Sequence, residues 1–237
     1  MMLSLRSYGN SVGVFLLLAS FVVGAALAQD YTSMGISDVV GNADSMLQRG
    51  DYAGAIPALE EVVKRTRDLT DPQGLETLQG CRFQLARAFY QTGDTESGMS
   101  VLEDYLEQEP RKQERIALRM MAQGFFESEK WEQIEKVAGR LLNMPDLEPE
   151  DLLNANLLLG QAQFRQKKWV ECIKPLTYTA NNSKEERTQS LTQIMIVRAL
   201  VESENWRELF GWIPRLYRTD AKYDITLNLT LMKAGKA

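Results

Sequence analysis

The stretch LARAFYQTGDTESGMSVLEDYLEQEP, residues 85–110, decides the fold. Leu85, Ala86, Phe89 and Tyr90 recur at the spacing of one helical face. Gly93-Asp94 interrupts them, and Met99, Val101, Leu102, Tyr105 and Leu106 resume the pattern. Pro110 closes the second run, because proline has no N–H for the helical ladder. The stretch reads as two antiparallel helices, A and B, around a tight turn, with the small Ala86 letting A approach its partner.

The same arrangement recurs along the chain. The slot just after the turn holds Tyr52, Thr95, Trp131, Trp169 and Trp206, at intervals of 43, 36, 38 and 37 residues. Before it stand Gly50-Asp51, Gly93-Asp94, Glu129-Lys130, Lys167-Lys168 and Glu204-Asn205. Five units result, starting near Ile36, Gln79, Arg115, Leu153 and Ser190. Periods of this size are the sequence signature of a helical-hairpin array.

Leu85-Ala86, Leu159-Gly160, Gly50-Asp51-Tyr52, Ala55-Ile56 and the closing Pro110 resemble the consensus of the tetratricopeptide repeat. The resemblance covers 36–222 and implies an all-α, right-handed solenoid of about five helical hairpins. The family repeat is about 34 residues long. The longer spacing here therefore predicts extra segments at Arg67 to Gly74, Asn143 to Glu150 and Asn181 to Arg187. Residues 223–237, with Leu227, Leu229, Leu231 and Met232, read as the first helix of a further, incomplete repeat. The three turn tryptophans are expected to cover the loop ends of their hairpins and pack onto the next unit. An exposed aromatic clamp is the alternative. Pro214, beside Trp212, predicts a kink or fresh start in the last helix.

Residues 1–28 read as a secretory signal peptide. Arg6 supplies the positive n-region, Val12 to Ala28 the apolar stretch, and Ala26-Leu27-Ala28 the small-x-small cleavage site. An uncleaved anchor is the competing reading, although a bilayer takes about 20 apolar residues and this stretch has 17. Residues 29–35 are expected to be a flexible N-terminus. Export permits disulfides, yet Cys81 and Cys172 fall in repeats about two units apart. Stacked helices are themselves about 8–10 Å from one another, and a disulfide needs Cα atoms within about 7 Å. Two reduced, buried thiols are expected.

Composition excludes several functions. The 237 residues carry a net charge of −5, with no basic stripe for nucleic-acid phosphates. Histidine is absent, which removes the commonest general base and transition-metal ligand. No glycine-rich phosphate loop or cysteine cluster occurs, and the carboxylates lie on solvated helix faces. The expectation is a non-enzyme with no catalytic or metal site and no cofactor. The motifs at Asn181-Asn182-Ser183 and Asn228-Leu229-Thr230 match the N-glycosylation pattern, which chance often meets.

The resemblance implies that helix A lines a concave, partner-binding surface. In register, one line carries Leu47, Tyr90, Phe126, Phe164 and Val201. Beside it run Asp44, Arg87, Gln123, Gln161 and Arg198, and then Gln48, Gln91, Glu127, Arg165 and Glu202. Tyr90, Phe126, Phe164, Arg87, Gln123, Gln161 and Arg198 are the candidate groove for a protein or peptide. A one-residue slip, about 100° of helix, would instead make the aromatics core. The expected function is a non-catalytic interaction scaffold of the periplasm or cell envelope, with no membrane insertion after signal cleavage. A structural envelope subunit, self-associating through its C-terminal end, and the N-terminal regulatory part of a longer enzyme are the alternatives.

Overall fold

The structure, a computed structural model, describes residues 30–216 together with Met232 and Gly235. The signal-peptide reading and nearly all of the proposed sixth unit therefore lie outside the described residues. Ten helices and no strand occur among the described residues. They pair as A and B helices of five hairpins: α1 (Ile36–Gln48) with α2 (Tyr52–Thr66), and α3 (Pro72–Thr92) with α4 (Thr95–Glu107). Then follow α5 (Glu114–Glu127) with α6 (Trp131–Leu142), α7 (Pro149–Arg165) with α8 (Ile173–Asn182), and α9 (Glu186–Glu202) with α10 (Trp206–Leu216). Helices pack in chain order, and the all-α hairpin solenoid of the sequence reading is what the chain forms.

All five A-to-B turns close in one way. The last turn residue is left-handed: Gly50 at φ 77°, Gly93 at 87°, Glu129 at 53°, Lys167 at 60° and Glu204 at 56°. The following N–H then reaches back to helix A. Asp51 donates to the Met46 carbonyl, Asp94 to Phe89, Lys130 to Phe125, Lys168 to Gln163 and Asn205 to Leu200, at 2.8–2.9 Å. These bonds satisfy carbonyls that a helix end otherwise leaves unpaired. Asp51 and Asp94 also cap the next helix, accepting from the N–H groups of Gly54 at 2.9 Å and Ser97 at 3.1 Å. Glycine is spared the Cβ clash of this conformation; glutamate and lysine are not.

The extra segments are shared between connecting loops and lengthened helices. Asp71 accepts from Gly74 N–H at 2.9 Å and Pro72 occupies the first turn, so α3 starts seven residues before Gln79 and runs for 21 residues. Pro149 likewise opens α7, since the first helical turn needs no N–H from it. Between α8 and α9 only 183–185 remain outside helix. Trp131 and Trp206 are first residues of their B helices, and Trp169 precedes α8. Pro214 does not break α10, which runs through it. Near a helix end, the carbonyl it leaves unpaired has solvent available.

Three apolar clusters run through the described residues, and each crosses a boundary between hairpins. Burial that depends on the next unit makes the hairpins cohere as one body. Gly160 allows a close A–B approach, since a Cβ there would lie 2.7 Å from the Leu176 side chain and 3.2 Å from its backbone nitrogen. Residues 30–35 are docked, contrary to a flexible start. Tyr31 is buried, and Arg65 donates to the carbonyls of Met34 at 2.8 Å and Tyr31 at 3.4 Å.

An added Cβ at Gly93 meets nothing within 4 Å, so Gly93→Ala tests the turn's φ alone. It is expected to lower unfolding free energy by about 1 kcal/mol in urea titrations. Glu129→Gly, Lys167→Gly and Glu204→Gly are each expected to raise it by up to about 1 kcal/mol, glycine's extra chain entropy offsetting part of the relief.

Candidate functional site: the face of the A helices

Two hollows open between successive A helices. One, of about 410 Å³, lies between α5 and α7 and is lined by Arg119, Ala122, Gln123, Phe126, Glu127, Asn154, Leu157 and Leu158. The other, of about 380 Å³, lies between α1 and α3 and is lined by Asp44, Leu47, Gln48, Gln84 and Arg87, with Tyr52 from α2. The first has a mainly apolar wall and the second a polar one. Residues of all three predicted lines meet at both hollows.

The aromatic line divides between packing and exposure. Tyr90 is half-buried, and its hydroxyl donates to the Met120 carbonyl of the next A helix at 2.8 Å. Its ring fills the space left by the missing side chain of Gly98, while its hydroxyl lies where a Cβ on Gly124 would stand 2.9 Å away. Tyr90 therefore wedges unit two into unit three. Burial pushes its phenol up to about 12, with the Glu127 charge adding to the effect. Phe126 is 43% exposed and Phe164 is half-buried.

Among the polar candidates, Arg87 is exposed and donates to Gln84 at 3.0 Å. Gln123 is exposed and donates to Glu127 at 3.1 Å, and Gln161 is half-buried. Arg198 is exposed, its guanidinium carbon 5.6 Å from the Phe164 ring centroid. Gln123 and Phe126 share one hollow, Arg87 lines the other, and Phe164 and Arg198 touch one another. Tyr90, Gln161, Phe164 and Arg198 line neither hollow.

The three turn tryptophans are half-buried, and two of them pack edge-on against an A-helix phenylalanine. Trp131 meets Phe126 edge-on at 5.5 Å, and Arg165 of the next A helix lies 5.4 Å from its centroid. Trp169 meets Phe164 at 5.2 Å. Beside them Glu135 of α6 accepts from Gln163, Gln166 and Lys168 of the next unit, at 3.2, 2.9 and 2.6 Å. Burial pushes the Glu135 carboxyl up, but these bonds outweigh it and hold the group below its usual range.

Sequence reasoning missed Ile116, Leu157, Leu158 and Leu191. Ile116 and Leu191 are each 50% exposed on A helices. They stand seven residues, two helical turns, before Gln123 and Arg198. Extending the groove lines by two turns would have found them. Cys81 and Cys172 are free and buried, and burial pushes their thiols up to about 11 and about 12. Among the described residues no cluster of three metal-binding side chains occurs, and no helix is long and apolar enough to cross a membrane.

Residues 81–111 match the model of the tetratricopeptide repeat family. A solved structure of MamA from AMB-1 is similar over 82% of this chain and 96% of its own, with a TM-score of 0.56 and 15% identity. MamA from MSR-1 is similar over 84% and 98%, at 0.51 and 14%. No curated protein matches the chain in sequence.

Truncating the wedge and truncating the exposed ring should differ. Tyr90→Ala is expected to cost about 3 kcal/mol of stability and Phe126→Ala about 1, by chemical denaturation. Raised folded-state values for Tyr90, Cys81 and Cys172 mean that the folded chain holds these protons longer than the unfolded one. Their contribution is complete below about pH 8.5 and is lost as pH rises toward about 12. Melting temperature should fall across that interval, and at pH 8 a thiol reagent should label neither cysteine until the chain unfolds.

Proposed function

We propose that this chain, a divergent tetratricopeptide-repeat solenoid, is a non-catalytic scaffold that captures a partner protein on the face of its A helices. One observation carries the reading. The exposed apolar side chains Ile116, Phe126 and Leu191 stand on the A helices α5 and α9, and Phe126 lines an apolar hollow rimmed by polar groups. Apolar surface left in water is unfavourable for folding alone, and a rimmed patch of it is characteristic of interaction sites. The leader-like residues 1–28 support export, and we place the mature chain in the periplasm or at the envelope.

A second reading, a structural subunit built by end-to-end contact, is favoured by Phe210, which is 70% exposed on α10. In the second and third hairpins the equivalent residues, Met99 and Glu135, meet the next A helix. Met99 lies where a Cβ on Gly124 would clash, at 2.5 Å, and Glu135 bonds to Gln163.

The test is capture of partners by the mature chain from the envelope fraction of its own source, read by mass spectrometry. A Phe126→Ser, Leu191→Ser double variant should lose the captured protein while keeping its helical circular dichroism, its melting temperature falling by only a few degrees. Retained capture would overturn the groove reading, and loss on Phe210→Asp alone would support the end-contact one. N-terminal sequencing of the exported protein should begin at Gln29.

A further inference from the structure

The last described hairpin shows water a side chain that the others bury or half-bury at their joints. We infer that this end, with Phe210 at its centre, docks head to tail on the outer side of α1 of a second copy of this chain, so that the solenoid continues from one molecule into the next. The inference rests on the end-contact reading above and names its partner.

Phe210 stands four residues after Trp206, the position held by Ile56, Met99, Glu135 and Ile173 in the earlier hairpins. Met99 and Ile173 are buried and Ile56 and Glu135 half-buried, whereas Phe210 is 70% exposed. On the receiving side, Met99 meets α5 at Gly124, seven positions before the turn slot. The same position holds Ala88 on α3, Ala162 on α7 and Ala199 on α9, each fully buried. On α1 it holds Ser45, which is exposed, and no hairpin of the described chain stands before it. Gly41, one turn earlier, has open space where a Cβ would point. The docked residues 30–35 leave both positions uncovered. α1 therefore presents to solvent the kind of seat that α5 uses for Met99. A phenylalanine laid on it would leave water as Met99 does.

Charge selects which ends meet. Residues 36–107 carry thirteen Asp and Glu against six Lys and Arg, while 108–216 carry sixteen of each. Two first hairpins facing one another would repel. Exposed Asp38 and Asp44 flank Gly41 at three residues on either side, and exposed Arg207 stands three residues before Phe210. Residues three apart share a helix face, so the head-to-tail contact brings a guanidinium toward two carboxylates. Glu208 is held at the start of α10, accepting from the Asn205 amide at 3.0 Å. A heterologous contact of this kind leaves one Phe210 and one Ser45 free on every assembly, so growth continues beyond two copies. One hairpin face is small beside a standard interface, and association at about 10–100 μM is expected.

Sedimentation velocity of the mature chain from about 1 to about 200 μM tests the inference. The weight-average mass should rise with concentration past that of a dimer. Phe210→Asp and Ser45→Glu should each stay monomeric, with helical circular dichroism retained and melting temperatures within a few degrees of the parent at the lowest concentration. An equimolar mixture of the two variants should form pairs and stop there. Only Phe210 of the second variant and Ser45 of the first remain matched in that mixture. A parent chain that stays monomeric throughout overturns the inference. So does a Ser45→Glu variant that still pairs with itself, the mark of two Phe210 faces meeting. A monomeric parent whose melting temperature drops sharply in Phe210→Asp makes residues 217–237 the cover of this face, which overturns it too. In each of these cases the end-contact reading is decided separately, by whether Phe210→Asp loses the captured partner.

Discussion

A single left-handed residue at each A-to-B turn is the constraint on which the rest depends. With that φ fixed, the next N–H points back at helix A and bonds to a carbonyl five residues earlier, so chain direction reverses within two residues. Helix B must then lie along helix A, and small residues such as Gly160 at the crossing set how close it comes. Five repetitions of the same reversal put all A helices on a common side. The groove is a consequence of the turn before any groove residue is chosen.

What joins one hairpin to the next varies with position. Between units two and three the joint is Tyr90, seated by two glycines and bonded to the Met120 carbonyl. The third hairpin braces its turn with Trp131 edge-on against Phe126, under Arg165 of the unit that follows. Nearby, Glu135 ties α6 to three side chains of the next unit. A hydroxyl at the joint of units two and three, and a carboxylate with a guanidinium over a ring at the joint of units three and four, thus perform one task. Nearest-neighbour stacking requires only that each interface be complementary, so a repeat array can diverge one joint at a time.

The hairpins were legible because turn chemistry is local. Gly50-Asp51 and Gly93-Asp94 announce a left-handed closure and a helix cap within two residues, and the tryptophan spacing carries that register into units where glycine is lost. Helix starts were less legible. Asp71-Pro72 and Pro149 resemble loop punctuation as much as first turns, since both roles use a residue without an N–H to donate. The groove was legible only in part. A half-turn of helix separates core from surface, and Tyr90 and Phe126 occupy the same register position with opposite uses. Two glycines, Gly98 and Gly124, draw Tyr90 inward, and they belong to other helices. No pattern within α3 reveals that.

Strain and exposure coincide in the chain. Units one and two close with glycine and present a polar hollow; units three to five close with Glu129, Lys167 and Glu204 and carry Ile116, Phe126 and Leu191 in water. Each non-glycine left-handed residue and each exposed apolar side chain lowers the stability of the free chain. The partner would recover the second cost by covering those side chains, but not the first. The turn residues at 129, 167 and 204 each put an exposed charged side chain just past the aromatic line in sequence. At the turn after α7, Lys167 carries one such charge and its neighbour Lys168 another. Lys168 is already committed to Glu135, which leaves Lys167 as the charge that a glycine would have removed.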